Sequence, residues 1–347
     1  MLMIYSASSY TSQVRYNDSA YFLKKQAIGV VAGVVAMFFV SRFHYKLYLK
    51  QLPLIRVRMI TALYWIAMAL QTIVLFVGAE VNGAKRWLYI GPLSLQPSEF
   101  TKIVVILVAA YFIQKRPKDM SKIAGIARVF IPVGFLIILV AMENLSTAIV
   151  VFVITFGMCF VAAKKKRLYI LLGLVGVALI ALYVMFGDGF RSDRFSIWLN
   201  VESNPKGYQV LQGLYAIASG GVFGTGLGES MQKLGFIPES HNDMIFSIIC
   251  EELGMVGAGI VIIMFILLLW RVLNTAMNSP DLFSALICTG VLIHIAAQVV
   301  INIAVVTNSM PSTGIPLPFV SYGGTSIMIL MAEMGLVLGI SSKCKST

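Results

Sequence analysis

The sequence predicts an all-α fold, a polytopic bundle of membrane-spanning helices. Of the 347 residues, 59% are hydrophobic and only 12% are charged, whereas a soluble domain has about 25% charged residues. The mean hydropathy is +0.87. The apolar residues form runs long enough to cross about 30 Å of hydrocarbon, and these runs lack the period-2 alternation that the strands of a membrane barrel need.

Nine runs reach the length of a span, and they define one integral membrane domain over residues 1–347. The spans are predicted near 26–41, 60–79, 100–114, 123–141, 145–163, 168–186, 244–270, 282–306 and 325–341. Residues 1–5 are apolar but too short to span, and a polar segment follows them. We expect this stub to be the end of a tenth, first helix, with the start of the chain truncated or misassigned.

Lysine and arginine predict the orientation. They cluster in 42–58, 115–122, 164–167 and the tail after 341, which all fall on one side if every run spans. Such loops stay in the cytoplasm, so the C-terminus is predicted to be cytoplasmic and the segments 80–99, 187–243 and 307–324 extracytoplasmic. The net charge of +12 therefore does not indicate a nucleic-acid partner, because the basic residues lie between spans.

The first external segment carries aromatic and charged side chains next to a predicted span. Trp87 and Tyr89 are either interfacial aromatic residues or part of a site. Pro97 suits the first turn of a helix, where the helix dipole favours the Glu99 carboxylate and where Lys102 can pair with it. A helix start explains that pair, but ionisable groups in a membrane are costly and usually functional.

The long external loop, 187–243, contains Arg191 and Arg194, an amphipathic stretch that ends near Ala218, and a glycine cluster over 220–228. Glycine clusters can cradle phosphate, or they allow close packing or a hinge. No strand precedes this cluster and no Gly-Lys-Ser/Thr follows it, so a Walker or Rossmann nucleotide site is not predicted.

A polar stripe enters the span that follows the long loop. Asp243, Ser247 and Glu251 recur at i, i+4 and i+8. Ser240 and Asp243 also fit a variant of the capping box. A stripe of this kind facing lipid would cost several kcal/mol, so it is predicted to face a cavity or other helices.

The segment 311–324 contains three prolines and three glycines and is apolar. It is predicted to be a re-entrant loop packed on protein. His294, Gln298 and Asn302 share a face of the preceding span and are expected to bond to other helices. Glu333, in the last span, needs a partner that the sequence does not identify.

In these motifs the chain resembles the SEDS family (shape, elongation, division and sporulation), whose members include FtsW, RodA and SpoVE. The residues of these motifs favour the FtsW and SpoVE branch of the family. The family has ten spans, which agrees with nine plus a stub. The matching residues are Gly83 to Trp87, Gln96 to Glu99, Gly220 to Gly228, Pro238 to Asp243 with Glu251 to Gly254, and Pro311 to Gly324.

The resemblance implies a peptidoglycan glycosyltransferase of the bacterial cytoplasmic membrane. It would polymerise lipid II, an undecaprenyl-diphosphate-linked disaccharide peptide, at the outer face for septal, elongation or spore wall synthesis. Asp243 matches the family's essential aspartate, Trp87 a tryptophan needed for activity, and Glu99 and Lys102 positions in the external cavity. A class B penicillin-binding protein and other divisome or elongasome membrane proteins are the implied partners.

One position departs from the family pattern. Where the family usually has Gln-Pro-Asp-Leu-Gly-Thr, this chain has Met-Glu-Asn-Leu-Ser-Thr over 142–147. Asn144 therefore stands in place of an aspartate, with Glu143 beside it. Asn144 is not assigned to the site.

The predicted chemistry needs a base and positive charge. A sugar hydroxyl acceptor needs a general base, and Asp243 is the candidate. The departing diphosphate needs cations, for which Arg86, Arg191, Arg194 and Lys233 are candidates; His241, in the motif of Asp243, is a further substrate-binding candidate. A divalent cation (Mg²⁺ or Mn²⁺) on Asp243 could share that work, and no nucleotide is expected.

Two other functions stay open. Broken helices and intramembrane carboxylates also occur in transporters, so a lipid II flippase or another lipid-carrier exporter is the alternative. A structural scaffold of the divisome is weaker, since it leaves the polar stripe without a purpose. We expect the site to be a cavity where Asp243, Trp87, Glu99 and the proline-rich segment meet.

Overall fold

A computed structural model of the chain describes residues 1–52, 56–81, 84–90, 93–186, 197–238 and 240–344. In this part of the chain the α-helices are α1 (Leu2–Tyr16), α2 (Tyr21–Arg42), α3 (Met59–Val77), α4 (Pro97–Lys115), α5 (Ile123–Glu143), α6 (Leu145–Ala162), α7 (Arg167–Phe186), α8 (Tyr208–Gly220), α9 (Ile245–Met277), α10 (Leu282–Val306) and α11 (Gly324–Ser341). Short 3-10 helices cover Tyr45–Leu49, Pro117–Ser121 and Pro205–Gly207.

Eight helices of the described residues are long and apolar enough to cross a membrane, namely α2 to α6 and α9 to α11. They coincide with eight predicted spans, and the predicted span 168–186 coincides with α7. The predicted class, an all-α multi-pass membrane protein, is thus confirmed. The amphipathic stretch of the long loop is the helix α8.

The N-terminal helix α1 runs further than the apolar stub alone indicated. It continues through the polar residues to Tyr16 and ends where Asn17 adopts a left-handed conformation, with φ at 53°. Ser6, Ser8 and Ser12 are buried on it. These three serines therefore face protein, and hydropathy alone did not identify the helix because its residues after position 5 are mostly polar.

A small antiparallel sheet, which the sequence analysis did not predict, occupies the first external segment. Its strands are β1 (Ala79–Val81), β2 (Ala84–Ile90) and β3 (Leu93–Leu95), in the order β1-β2-β3. The Asn82-Gly83 pair between β1 and β2 is the strongest short sequence signal for a hairpin.

The chain divides into two compact units. The first comprises Met1–Ile28, Tyr169–Leu267 and Gln298–Gly323, and the second comprises Gly29–Leu168, Leu268–Ala297 and Gly324–Thr347. Asp243, the glycine cluster and the proline-rich segment belong to the first unit, whereas the sheet and the pair of Glu99 and Lys102 belong to the second. Each unit is described below by itself.

In the first unit, α9 is broken at Gly254, which has φ at 67° and ψ at −168°. The break frees backbone groups that hydrocarbon cannot satisfy, and the glycine cluster provides their partners. Four hydrogen bonds of 2.9 to 3.1 Å join the two segments: Met255 N–H to Gly221 O, Val256 N–H to Val222 O, Thr225 N–H to Glu251 O, and Gly226 N–H to Glu252 O.

The glycines permit this contact because the two backbones approach so closely. A Cβ atom on Gly224 would lie 2.2 Å from the carbonyl oxygen of Glu252, and one on Gly220 would lie 2.0 Å from that of Cys250. Of the two expectations for the glycine cluster, close backbone packing is therefore the one that the structure supports.

Glycines also bring α2 and α11 together in the second unit. A Cβ atom on Gly29 would lie 2.5 Å from the carbonyl oxygen of Gly324, and one on Gly335 would lie 2.6 Å from that of Met37. Small residues at a helix crossing allow the close van der Waals packing that stabilises membrane helices.

The second unit also contains the partner of the buried carboxylate in the last predicted span. Glu333 on α11 is fully buried, and the Nδ1 atom of His294 on α10 lies 2.9 and 3.0 Å from its two oxygens. This contact confirms the expectation that the His294 face of α10 bonds to another helix.

An aromatic cluster packs the end of the long external loop against the start of α2. The His241 ring lies 4.4 Å from that of Phe22 and 5.6 Å from that of Tyr322, centroid to centroid. His241 is only 4% exposed. Burial, with a smaller contribution from the positive charge of Arg15, lowers the pKa of His241 from 6.5 to about 4.

We predict that Gly254→Ala destabilises the protein strongly. The new Cβ would lie 2.4 Å from the Gly224 nitrogen and from the Val222 oxygen, at a left-handed φ, and overpacking costs about 1–3 kcal/mol in addition to about 1 kcal/mol or more of backbone strain. Thermal unfolding in detergent measures the effect. Gly259→Ala is the matched control: it lies in the same helix with no atom within 4 Å of its Cβ, so equal melting temperatures for the two variants would contradict the prediction.

We also predict that protonation of His241 makes the protein less stable in acid. The unfolded His241 binds a proton below about pH 6.5 and the folded one only below about 4, so stability is retained above this window and lost as pH falls through it. The pKa difference corresponds to about 3 kcal/mol. His241→Phe should reduce the fall in melting temperature between pH 7 and 4.5.

The control is the exposed His44, since His44→Gln should keep the wild-type pH dependence. An unchanged pH dependence in His241→Phe would show that the group does not titrate as its burial requires.

Candidate active site

Asp243 lies two residues before α9, where the long external loop ends. Its side chain is half-buried. Gln209 on α8 donates a hydrogen bond from Nε2 to the Asp243 Oδ1 atom at 3.4 Å. The other oxygen, Oδ2, faces the backbone of Gly314, where a Cβ atom would lie 3.7 Å away. The structure thus brings Asp243 together with the proline-rich segment, as the sequence predicted.

Ser240 is not the N-cap of α9, because this helix begins at Ile245. The Ser240 hydroxyl donates to the backbone oxygen of Ala7 in α1, at 2.9 Å, and so it anchors the loop to the N-terminal helix. The main-chain oxygen of Asp243 accepts from the Asn302 amide at 2.7 Å. Asp243 is therefore held by long-range contacts that the local pattern could not indicate.

The rest of the polar stripe is buried in protein. Ser247 is fully buried. The carboxylate of Glu251 accepts hydrogen bonds from the Ser230 hydroxyl and from the backbone N–H groups of Met231 and Gln232. The prediction that the stripe faces protein and not lipid is confirmed, and Glu251 stabilises the loop of residues 230–232.

Lys233 occupies a buried ion pair. Its Nζ atom lies 2.8 Å from the Glu252 carboxylate, 2.7 Å from the Gly228 oxygen and 3.1 Å from the Ser6 hydroxyl. Glu252 in turn accepts from Ser6 at 2.6 Å. All three donors of this lysine have acceptors within the protein, so the geometry favours a structural role, and its contact with substrate stays a prediction.

Lys233 also lines a groove of about 500 Å³. The groove lies between α1 and the loop before Asp243 and is mostly apolar. Its lining comprises Leu2, Tyr5, Ser6, Ser9, Tyr10, Leu227, Gly228, Lys233 and Leu234.

His241 is a packing residue in this arrangement. Its lowered pKa keeps the ring neutral at pH 7, and its Nδ1 atom has no hydrogen-bond partner among the described residues. The ring fills the space between Phe22 and Tyr322. Its assignment to the substrate stays a prediction.

In the second unit, β2 carries Arg86 and Trp87, both half-exposed. Trp87 pairs with Ala79 of β1. The Arg86 Nε atom donates to the backbone oxygen of Glu143 at 3.1 Å, which fixes this guanidinium at the C-terminal end of α5. A cation at a helix C-terminus is favoured by the helix dipole, so Arg86 has a structural function besides any contact with substrate.

Glu99 and Lys102 form the ion pair that their spacing predicted. The two side chains lie 2.8 Å apart in the first turns of α4, which starts at Pro97. Both are buried, and Lys102 is fully so. A buried pair of this kind costs desolvation energy and is weak evidence for stability alone.

The departure from the family pattern has a structural explanation at Asn144. Its side-chain oxygen accepts from the Thr147 N–H at 3.2 Å and caps the N-terminus of α6. Asparagine is as good an N-cap as aspartate, so the substitution preserves the local structure. The neighbouring Glu143 is buried, and its Oε1 atom has no hydrogen-bond partner in the described part of the chain.

Two predicted site residues, Arg191 and Arg194, lie outside the described residues. Gln209, which donates a hydrogen bond to the Asp243 carboxylate, was not among the predicted site residues. The sequence contains no signal for this contact, because its two residues are 34 positions apart.

A metal site made by the protein alone does not occur in the described residues. No three or more His, Cys, Asp and Glu side chains are grouped there so that they could hold a metal ion.

Comparison with known proteins gives consistent relatives. "Stage V sporulation protein E" of Bacillus subtilis is 36% identical over 98% of this chain and 92% of its own length. A "Probable peptidoglycan glycosyltransferase FtsW" of Trichlorobacter lovleyi is 36% identical over 99% of this chain and 90% of its own. Both cover nearly the whole length of this chain.

Solved structures match over the full chain as well. A chain of the structure described as "Structural coordination of polymerization and crosslinking by a peptidoglycan synthase complex" superposes with a TM-score of 0.79 at 25% identity, over 100% of this chain and 97% of that one. The rod shape determining protein RodA of Thermus thermophilus superposes with a TM-score of 0.68 at 27% identity, over 100% and 96%. Residues 1–346 match the FtsW, RodA and SpoVE family model, described as "Cell cycle protein", and the chain belongs to this family.

Proposed function

We propose that this chain is a peptidoglycan glycosyltransferase that polymerises lipid II at the outer face of the bacterial cytoplasmic membrane. The glycosyltransferase activity is that named for its relatives. The observation that carries the proposal is Asp243: a half-buried carboxylate, outside the spans, held on both its side chain and its main chain. The relatives also lend support to a role in division or spore wall synthesis.

In the proposed reaction, Asp243 acts as general base. It takes the proton of the acceptor sugar hydroxyl as the oxygen forms a bond to the anomeric carbon of the donor. The bond from that carbon to the lipid diphosphate breaks, and the diphosphate leaves with the electron pair. The substrate supplies the energy in its diphosphate leaving group, so no nucleotide is needed.

The leaving diphosphate needs positive charge. The proposed cations are Arg86, which is half-exposed on β2, together with Arg191 and Arg194. Lys233 and Lys102 are each paired with a glutamate. A divalent cation on Asp243 would supply charge to the diphosphate if it were bound, although the described residues contain no group of three or more His, Cys, Asp and Glu side chains that could hold it.

The partner we propose is a class B penicillin-binding protein. The support is the matching chain in a peptidoglycan synthase complex that performs polymerization and crosslinking. A transpeptidase would crosslink the strands that this chain makes, on the same side of the membrane as the long external loop. The C-terminus would then lie in the cytoplasm, as the basic loops favour.

We expect Asp243→Ala to lower the polymerisation rate of purified protein on lipid II by at least about 100-fold, the usual lower range for loss of a general base. Folding and lipid II binding should be kept, because the anchoring bonds use the main chain at this position. Gel analysis of the products measures the rate. The control is Asp18→Ala, an aspartate of the same unit in an exposed pair with Lys24, which should keep full activity.

Retained polymerisation by folded Asp243→Ala would contradict its catalytic role.

The transporter alternative is decided by the wild-type protein in detergent, with and without its partner. A polymerase makes glycan strands there, whereas a flippase has no measurable activity without a sealed membrane. The break in α9 and the buried carboxylate of Glu333 in α11 are features that also occur in transporters.

A further inference from the structure

The Asn302 side chain lies near the C-terminal end of α10 and is 1% exposed. Its Nδ2 atom donates two hydrogen bonds, one to the main-chain oxygen of Asp243 at 2.7 Å and one to that of Ile315 at 2.8 Å. It therefore ties Asp243 to the proline-rich segment. Both of its donors are used for this purpose.

Two more bonds continue the tie along the chain. The Ser321 hydroxyl donates to the main-chain oxygen of Asn242 at 2.7 Å, and the Tyr322 N–H donates to that of His241 at 2.9 Å. The main-chain oxygens of 241, 242 and 243 are thus all fixed by residues of one region, 302–322. We call this set of bonds the carbonyl clamp.

The clamp determines where the Asp243 carboxylate can lie. Peptide units are planar, so fixing three successive carbonyl groups fixes the path of the main chain and the direction of the Asp243 side chain. Only the two side-chain torsions remain, and Gln209 restrains the carboxylate at Oδ1. The amide that fixes the last of the three carbonyl groups belongs to Asn302.

A role in packing alone does not account for Asn302. Its Oδ1 atom is buried and has no hydrogen-bond partner among the described residues, and a buried unpaired acceptor is unfavourable. An apolar side chain of the same shape would avoid that cost. What it would lose is the pair of N–H groups directed at Asp243 and Ile315.

We propose that Asn302 is a positioning residue of the glycosyltransferase site, acting through the main chain of Asp243. The inference rests on the proposed function, because it assumes that the Asp243 carboxylate is the base. Asn302 holds the carboxylate at the place where it meets the acceptor hydroxyl, and it holds the proline-rich segment in register with it. It does not touch substrate.

The test is a steady-state comparison of purified variants on lipid II. Asn302→Leu keeps the branched outline of the side chain and removes both donors, and it should lower kcat by about 10- to 100-fold, since a displacement near 1 Å can cost this much. The KM for lipid II should stay within about twofold. The matched control is Gln298→Leu, a buried polar residue one turn earlier on the same helix face, which should keep kcat.

If Asn302 had only a structural role, Asn302→Leu would change the melting temperature and KM together with kcat. If it is a positioning residue, kcat falls while KM stays nearly constant. Asn302→Ser serves as a second variant, because it keeps one donor and should lie between wild type and Asn302→Leu in kcat. A folded Asn302→Leu with wild-type kcat, or with a raised KM alone, overturns the inference. It is overturned as well if neither variant folds while Gln298→Leu does.

Asp243→Ala is measured in the same series. If it retains polymerisation, the proposed catalytic role fails by itself. If it is inactive while folded Asn302→Leu has wild-type kcat, the proposed role stands and the positioning inference fails.

Discussion

The break of α9 at Gly254 imposes the constraint on which the first unit depends. Backbone groups freed inside a membrane helix must find partners, because hydrocarbon offers none. The glycine cluster meets this need with four main-chain hydrogen bonds. The loop that follows the cluster is then fixed by Glu251 and by the ion pair of Lys233 with Glu252. The two carboxylates just before the break, Glu251 and Glu252, therefore organise the segment that leads to Asp243.

Burial within ion pairs distinguishes the charged residues with a structural role from Asp243. Lys102, Lys233 and Glu333 each have a buried partner within the described residues, and breaking such a pair leaves an uncompensated buried charge. Asp243 differs because it is half-buried, outside the spans and bonded to a neutral amide. A half-buried carboxylate outside the spans can be reached by a substrate hydroxyl, whose proton a general base accepts.

The sequence predicted what depends on local composition. The helices follow from apolar run length, and the pair of Glu99 and Lys102 follows from i, i+3 spacing at a helix start. The partners of Glu333, Lys233 and Asp243 could not be predicted, because each comes from a residue far away in the chain. The sheet was missed for a different reason: its hairpin signal is two residues long and was outweighed by the membrane pattern around it.

The polar stripe shows why a correct pattern did not reveal the arrangement of the site. The i, i+4, i+8 spacing identified Asp243, Ser247 and Glu251 as one face of a helix, yet only Asp243 lies before the first helical residue. Glu251 is fully used in binding the loop. The main chain at Asp243, released from helical bonding, is held from outside by Asn302. A carboxylate just before the start of a helix can thus be positioned by residues that are distant in the sequence. Asp243 differs in this respect from Ser247 and Glu251, which lie within the helix.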